Sequence, residues 1–403
     1  MRNRWLIALA AIGLHISIGS VYAWSVLTRP IMVDMGFTLS QTTWTFSLAI
    51  LMLGLSAGFL GSFAEKIGPK KSGLLAMLFW VAGLFGTAYA LSIHNLTLLY
   101  LFYGIIGGIG LGIGYITPVS TLVKYFPNRP GFATGLAIMG FGFASLIAGP
   151  LMQYLVAHVG LVNNFIILGI TYLIVMSASS LYLKAPTPKE PTRSNQDKST
   201  MYVHNHGMLA NDAMKTWQFS ALWWVFFVNI TCGIGLLSLA SPMAQETIGM
   251  TPAAAASLVG IIGIFNGGGR ILWSTISDFL GRAQTYILFF IIEIIAFYLL
   301  AKTNSTLTFQ ILILLIITCY GGGFSCMPAY LADLYGIRQL STIHGRILTA
   351  WGLAGIAGPM IVSYFHEAGY GYSMALVCFA GLFVLNTIIA IVLKMYGKRD
   401  LHS

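Results

Sequence analysis

The sequence predicts an all-α membrane protein of twelve transmembrane helices, arranged as two similar sets of six. Three observations carry that expectation. The composition is 57% hydrophobic, with only 8% Asp, Glu, Lys and Arg, against roughly a quarter charged residues in a soluble domain. A soluble chain of 403 residues with so few charges could not cover its own surface, whereas a bilayer accepts an apolar exterior. Apolar runs of about 20 residues, the length that crosses the hydrocarbon core, recur along the chain. Landmarks within and between these runs repeat at a nearly constant offset.

The first six runs occupy 5–28, 41–64, 72–92, 96–123, 131–157 and 163–183. The second six occupy 217–241, 252–276, 284–302, 307–331, 342–365 and 371–394. The first run is long enough to span and has no cleavage site behind it, so it is expected to be a helix and not a removed leader. Between the sets, Lys184 to Thr216 is rich in Pro, Lys, Ser and Asn, too long for a tight turn. A mobile polar linker is expected there. The chain then divides into an N-terminal bundle over 1–184, a cytoplasmic linker over 185–216 and a C-terminal bundle over 217–403. The 45 glycines fit this reading, because Gly is common in membrane helices.

The net charge of +10 does not point to nucleic acid, because the basic residues recur in short polar gaps and form no single patch. Threaded through the spans, 18 of the 21 basic residues fall on one face. Arg29 and Lys302 fall on the other, and Arg270 is left inside a span. The positive-inside rule then puts both termini and the linker in the cytoplasm of a cell membrane protein. Cys232, Cys319, Cys326 and Cys378 all lie inside apolar runs, with neither metal-ligand spacing nor a disulfide framework. Gly107-Gly108-Ile109-Gly110 is no phosphate loop, since it lies in an apolar span with no Lys-Ser/Thr after it. Neither a cofactor nor a metal is expected, and the chain does not read as an enzyme.

The two sets of helices share three landmarks. Glu65-Lys66-Ile67-Gly68 after helix 2 corresponds to Asp278-Phe279-Leu280-Gly281 after helix 8, a shift of 213. The glycines of helix 4 precede Pro118 as Gly321-Gly322-Gly323 of helix 10 precede Pro328, a shift of 210. Gly149-Pro150 in helix 5 matches Gly358-Pro359 in helix 11, a shift of 209. Three matches in register argue for a duplicated six-helix unit with a binding site near the midplane between the halves.

The segment Gly61 to Lys71, with Glu65, Lys66, Gly68, Lys70 and Lys71, resembles the loop signature of the major facilitator superfamily. That resemblance implies the major facilitator fold and a conformational latch on the cytoplasmic side built from Glu65, Lys66, Asp278 and Arg282. A narrower set of motifs follows: Gly19 to Ser25 with Tyr22 and Trp24, Gly114-Tyr115-Ile116-Thr117-Pro118, Lys124 to Pro127, and Phe265 to Arg270. These are similar to the oxalate–formate antiporter family and to the bacterial monocarboxylate (lactate) carriers near it.

Arg270 is the most informative residue. An arginine at bilayer depth is costly unless it faces a wet cavity or a partner, and its planar fork suits a carboxylate. The plainer alternative is an ion pair with Glu293 in helix 9, which in this superfamily is a peripheral helix. Asn266 precedes Arg270 by four residues and shares its face, where it either orients the arginine or packs between helices. The resemblance implies an aromatic box around the anion at Tyr115, Phe141, Tyr320 and Phe324. It also places Trp351 where oxalate-type members carry a second cation, a lysine. His15 in helix 1 is a candidate proton site, although a packed neutral histidine explains it as simply. Gly104, Gly108 and Gly112 form a small-residue stripe that lets helices approach closely.

The expected function is secondary active transport of a small monocarboxylate of the lactate, pyruvate or formate type by alternating access. Its partners would be the carboxylate anion, a proton or counter-anion, and the lipid bilayer. The rivals are an oxalate:formate-type dicarboxylate antiporter, opposed by Trp351, and a non-transporting membrane sensor of carboxylates, for which no signalling domain is visible.

Overall fold

Caps and positive-φ glycines set where the helices stop. Thr38 and Gln41 form a reciprocal capping box at the start of the second span. Thr216, Thr251 and Ser305 each accept the backbone N–H three residues on at the starts of the seventh, eighth and tenth. Gly68 (φ 80°) ends the second span and opens the third, as Gly281 (φ 91°) ends the eighth and opens the ninth. The repeat seen in the sequence is therefore also a repeat of backbone turns.

The computed structural model describes residues 3–125, 130–185, 207–336 and 339–396, with the side chain of Glu65 among those outside the description. It is all-helical, in the order α1 (Arg4–Gly19, continuing through a 3-10 turn Ser20–Ala23 into Ser25–Met35), α2 (Leu39–Ile67), α3 (Pro69–Ser92) and α4 (Leu96–Leu99, a π-helical stretch Tyr100–Gly107, then Gly108–Tyr125). Next come α5 (Pro130–Val159), α6 (Leu161–Tyr182), α7 (Trp217–Ser238, continued by Ala240–Ile248) and α8 (Pro252–Leu280). The chain ends with α9 (Arg282–Leu300), α10 (Thr306–Tyr335), α11 (Leu340–Ile347 and Thr349–Phe365) and α12 (Gly371–Tyr396). The last two spans form one apolar stretch, Thr342–Tyr396. Positive φ at Gly369 and Gly371 breaks it into two crossings.

Packing within the second six helices repeats that within the first: α9 lies on α12 as α3 lies on α6, and α8 lies on α10 as α2 lies on α4. The two sets meet along α2–α11 and α5–α8. Small residues allow that approach. A Cβ on Gly54 would come within 2.5 Å of the Gly352 nitrogen across the α2–α11 contact. Gly104, Gly108 and Gly112 turn toward α2, where a Cβ on Gly108 would meet the Ala49 carbonyl at 2.7 Å. The outer faces are apolar, with Phe59, Leu78, Ile174, Ile295 and Phe279 all exposed, as a protein spanning a bilayer requires.

Several helices run past their apolar stretches. Hydropathy falls at the charged residues near 65, 278 and 333, but the helical hydrogen bonds continue until a positive-φ glycine stops them at Gly68, Gly281 and Gly336. The linker also differs from expectation where it is described, from Gly207 onward. Gly207 bridges Gly336, the Met208 N–H donates to the Tyr335 carbonyl at 2.8 Å, and Arg346 donates to Asn211 Oδ1 at 2.8 Å. Its final residues are docked on the ends of α10 and α11.

Candidate functional site

Arg270 lies on α8 and is 3% exposed. Its Nε donates to Asn266 Oδ1 one turn earlier at 3.4 Å, and its guanidinium carbon stands 5.2 Å from the Phe324 ring centroid. Glycines make the position possible: a Cβ on Gly269 would fall 2.5 Å from the Thr318 carbonyl of α10, and one on Gly321 would fall 2.4 Å from the Asn266 carbonyl. Among the described residues no carboxylate pairs with Arg270, and its Nη1 has no hydrogen-bond partner. Asn266 Nδ2 is unpartnered as well. Buried donors left open in this way are costly. Both are donors of the kind a carboxylate accepts from.

The ion pair with Glu293 does not form. Glu293 is fully buried, and its carboxyl accepts instead from Asn229 Nδ2 on α7 at 3.3 Å.

Aromatic side chains from both halves surround the guanidinium. Trp351 of α11 contacts Tyr115 (5.2 Å between centroids), Phe324 (4.9 Å) and Phe141 (6.2 Å). Tyr115 of α4 also meets Phe141 of α5 edge-on at 5.6 Å, and Tyr320 meets Phe324 on α10 at 5.4 Å. Edge-to-face geometry prevails among these pairs. The structure thus brings together Arg270, Asn266, Tyr115, Phe141, Tyr320, Phe324 and Trp351, all seven residues expected to meet an anion.

Tyr22 belongs with them, although the sequence named it only within a motif and gave it no part in the site. Its hydroxyl lies 3.0 Å from that of Tyr320, joining α1 to α10 across the two halves, and its ring meets Phe141 at 4.9 Å. It also lies beside Arg270, as Tyr115 does. The motif Gly19 to Ser25 contains Tyr22, but the 3-10 turn over Ser20–Ala23 rotates the chain away from simple helical spacing, so the sequence could not say which residue faces inward.

His15 stands behind the box. Its Nδ1 faces the Ala137 carbonyl of α5 and its Nε2 faces the Tyr115 carbonyl of α4 at 3.0 Å. Both facing atoms are acceptors, so a neutral imidazole donates to one of them and an imidazolium to both; either way the ring ties α1 to α4 and α5.

The expected latch takes a different form where it is described. Arg282 pairs with Asp278 at 2.6 Å and with Asp333 at 3.7 Å, and also donates to Ser277 Oγ. All these contacts bind the ends of α8, α9 and α10 to one another within the second half. Lys66 is exposed at the end of α2, and the Glu65 side chain lies outside the described residues.

Contacts between the halves are explicit at the end of the bundle opposite the termini. Glu367, after α11, accepts from the Ser40 N–H at 2.6 Å and from the Ser40 hydroxyl at 2.7 Å. Arg29 donates to Gln245 Oε1 at 3.1 Å. Partial burial would raise the Glu367 pKa, but the Ser40 bonds outweigh it and hold the carboxyl below the usual carboxylate range. Because the bound form is the ionised one, this tie persists through neutral pH and is lost only as pH falls through that depressed value.

The sequence profile of the Major Facilitator Superfamily matches residues 7–281 and 222–401. The oxalate:formate antiporter of Oxalobacter formigenes is 25% identical over 361 residues, covering 88% of this chain and 83% of its own. Monocarboxylate transporter 14 of Homo sapiens is 28% identical over 188 residues, which is 46% of this chain and 36% of that one. Among solved structures, a bacterial homologue of the human lysosomal transporter Spinster, in an inward-facing and unoccupied conformation, superposes with a TM-score of 0.76. It is 14% identical and covers 97% of both chains, a likeness of fold alone.

Proposed function

Because the chain belongs to the Major Facilitator Superfamily, we propose that it is a secondary carrier of a small monocarboxylate of the lactate, pyruvate or formate type, working by alternating access. The observation that carries this reading is one buried, unpaired guanidinium inside a closed ring of aromatic side chains. A carboxylate accepting from the open Nη1 of Arg270 neutralises the buried charge, and a neutral complex crosses the membrane interior more easily than an unpaired cation. The rings then exclude water on both sides as the halves rock. Similarity to an oxalate:formate antiporter and to a monocarboxylate transporter supports a small carboxylate as the cargo.

Trp351 favours one carboxylate over two. With an indole in place of a second cation, Arg270 balances a monoanion and leaves a dianion with an excess negative charge. The second reading, oxalate:formate exchange, is favoured by the antiporter relative and opposed by that residue. Uptake of labelled lactate and labelled oxalate into proteoliposomes separates the two.

Removing the box should weaken binding by roughly tenfold. Tyr320→Ala loses the contact with Tyr22, and Phe324→Ala loses a cation–π contact of about 0.5–2 kcal/mol. Equilibrium binding of lactate to each folded variant checks this, and parental affinity in both would reduce the box to ordinary packing.

The bias of basic residues supports a cytoplasmic position for the termini and the linker. A cysteine introduced at Ser194 is then labelled by an impermeant thiol reagent only when the cytoplasmic face is accessible. Labelling from outside in intact cells would reverse the orientation.

A further inference from the structure

We infer that Glu293 is the proton site of this carrier, taking up one proton together with the anion and releasing it with the anion. The proposal rests on the anion reading of Arg270 and adds the coupling step.

Glu293 is the one fully buried acid among the described residues. It lies on α9, an outer helix of the bundle, yet its side chain turns inward toward α7. Asn229 Nδ2 donates to its Oε2 at 3.3 Å, while Glu293 Oε1 and Asn229 Oδ1 are both buried without a partner. Two acceptor oxygens left open on an acid and its facing amide are satisfied together by a single hydrogen. A protonated carboxyl donates its O–H to the amide oxygen while its other oxygen accepts from the amide N–H. An ionised carboxylate would leave Glu293 Oε1 and Asn229 Oδ1 facing a low-dielectric interior without a hydrogen.

Among the described residues no cation is paired with Glu293 to hold the ionised form in this arrangement. The titratable groups that bear on it are the thiols of Cys232 on α7 and Cys319 on α10. From α12, Phe379 and Phe383 pack on Phe297 and Phe290, one turn to either side of it, and Asn386 is bonded to the Val225 carbonyl. The charged side chains of α8 are engaged elsewhere, Arg270 with Asn266 and Asp278 with Arg282.

The site is linked to the anion pocket through α10. A Cβ on Gly323 would fall 2.2 Å from Asn229 Oδ1, and the next residue is Phe324, which lies over Arg270. Charge counting gives the direction of coupling. With the pocket empty, an ionised Glu293 offsets Arg270 within the same half. With an anion on Arg270, that role is filled and Glu293 holds a proton. Both forms carry no net buried charge, so both can reorient. His15 is fully buried, and a proton there would add a second buried cation to that of Arg270.

Glu293→Gln mimics the protonated acid and can keep both hydrogen bonds to Asn229. In proteoliposomes, the parent should accumulate labelled lactate roughly tenfold per unit of inward-directed pH gradient, as one proton per anion requires. Glu293→Gln should exchange internal for external lactate at a rate within about threefold of the parent, yet show no gradient-driven accumulation. A variant that follows the gradient like the parent overturns the proposal. So does a parent that exchanges lactate but ignores the gradient, an outcome that leaves the anion reading intact. If the parent exchanges neither lactate, pyruvate nor formate, the anion reading fails and takes the proposal with it. Should Glu293→Gln not fold, infrared spectra of the lactate-loaded parent decide: a protonated-carboxyl band at neutral pH that shifts in Asn229→Ala supports the site, and its absence rejects it.

Discussion

Arg270→Lys should lower carboxylate affinity by roughly 10- to 150-fold while leaving the fold intact. The substitution keeps the positive charge, so the effect isolates geometry. A guanidinium presents parallel N–H groups in one plane, and in this site Nε is already steadied by Asn266 while Nη1 is open. An ammonium is a compact point donor on a flexible stem, and it cannot make two parallel bonds to one carboxylate. Losing one charge-assisted hydrogen bond costs about 1.5–3 kcal/mol, which sets the range. The face of Phe324 loses its planar partner as well. Equilibrium binding of lactate to the purified variant measures the loss, and thermal unfolding without substrate shows whether the bundle is unchanged. Full affinity in Arg270→Lys would mean that the carboxylate binds elsewhere.

Trp351→Lys should move the preference between oxalate and lactate toward oxalate by roughly 10- to 100-fold. Trp351 is fully buried, with its indole N–H unpartnered and its ring against Tyr115 and Phe324. A lysine there places a second cation within the same aromatic enclosure as Arg270. A dianion then has a partner for each carboxylate, the added one contributing about 1.5–3 kcal/mol. Lactate leaves the new ammonium unpaired, so its affinity should fall in the same variant. Competition of each acid against labelled substrate reads both changes at once. An unchanged ratio would show that Trp351 does not set the charge balance of the pocket.

The number and order of helices were legible because apolar length alone marks a membrane span. Their ends were not, because helical hydrogen bonding at α2, α8 and α10 outlasts the apolar stretch and stops only at Gly68, Gly281 and Gly336. Arg270 was legible from its cost: a charge inside an apolar run needs an explanation. The aromatic box was not legible from periodicity, since a Tyr or Phe in a span is ordinarily packing. Tyr115, Phe141, Tyr320 and Phe324 were expected through resemblance, and Tyr22, named only within a motif, was given no role because the helix changes pitch at Ser20–Ala23. Glu293 shows a further limit. Its place on an outer helix suggested the periphery, but which face of α9 it occupies depends on α7 and α12 packing against it, and that is settled only in three dimensions.

The central claim is that a single buried cation, ringed by aromatic side chains, selects a monoanion. Competition between oxalate and lactate for the unmodified protein tests it most directly. The account predicts that lactate displaces labelled lactate at lower concentration than oxalate does, because the dianion leaves one negative charge without a partner in the closed pocket. Tighter binding of oxalate than of lactate would contradict the single-cation account and place the second cation somewhere other than position 351.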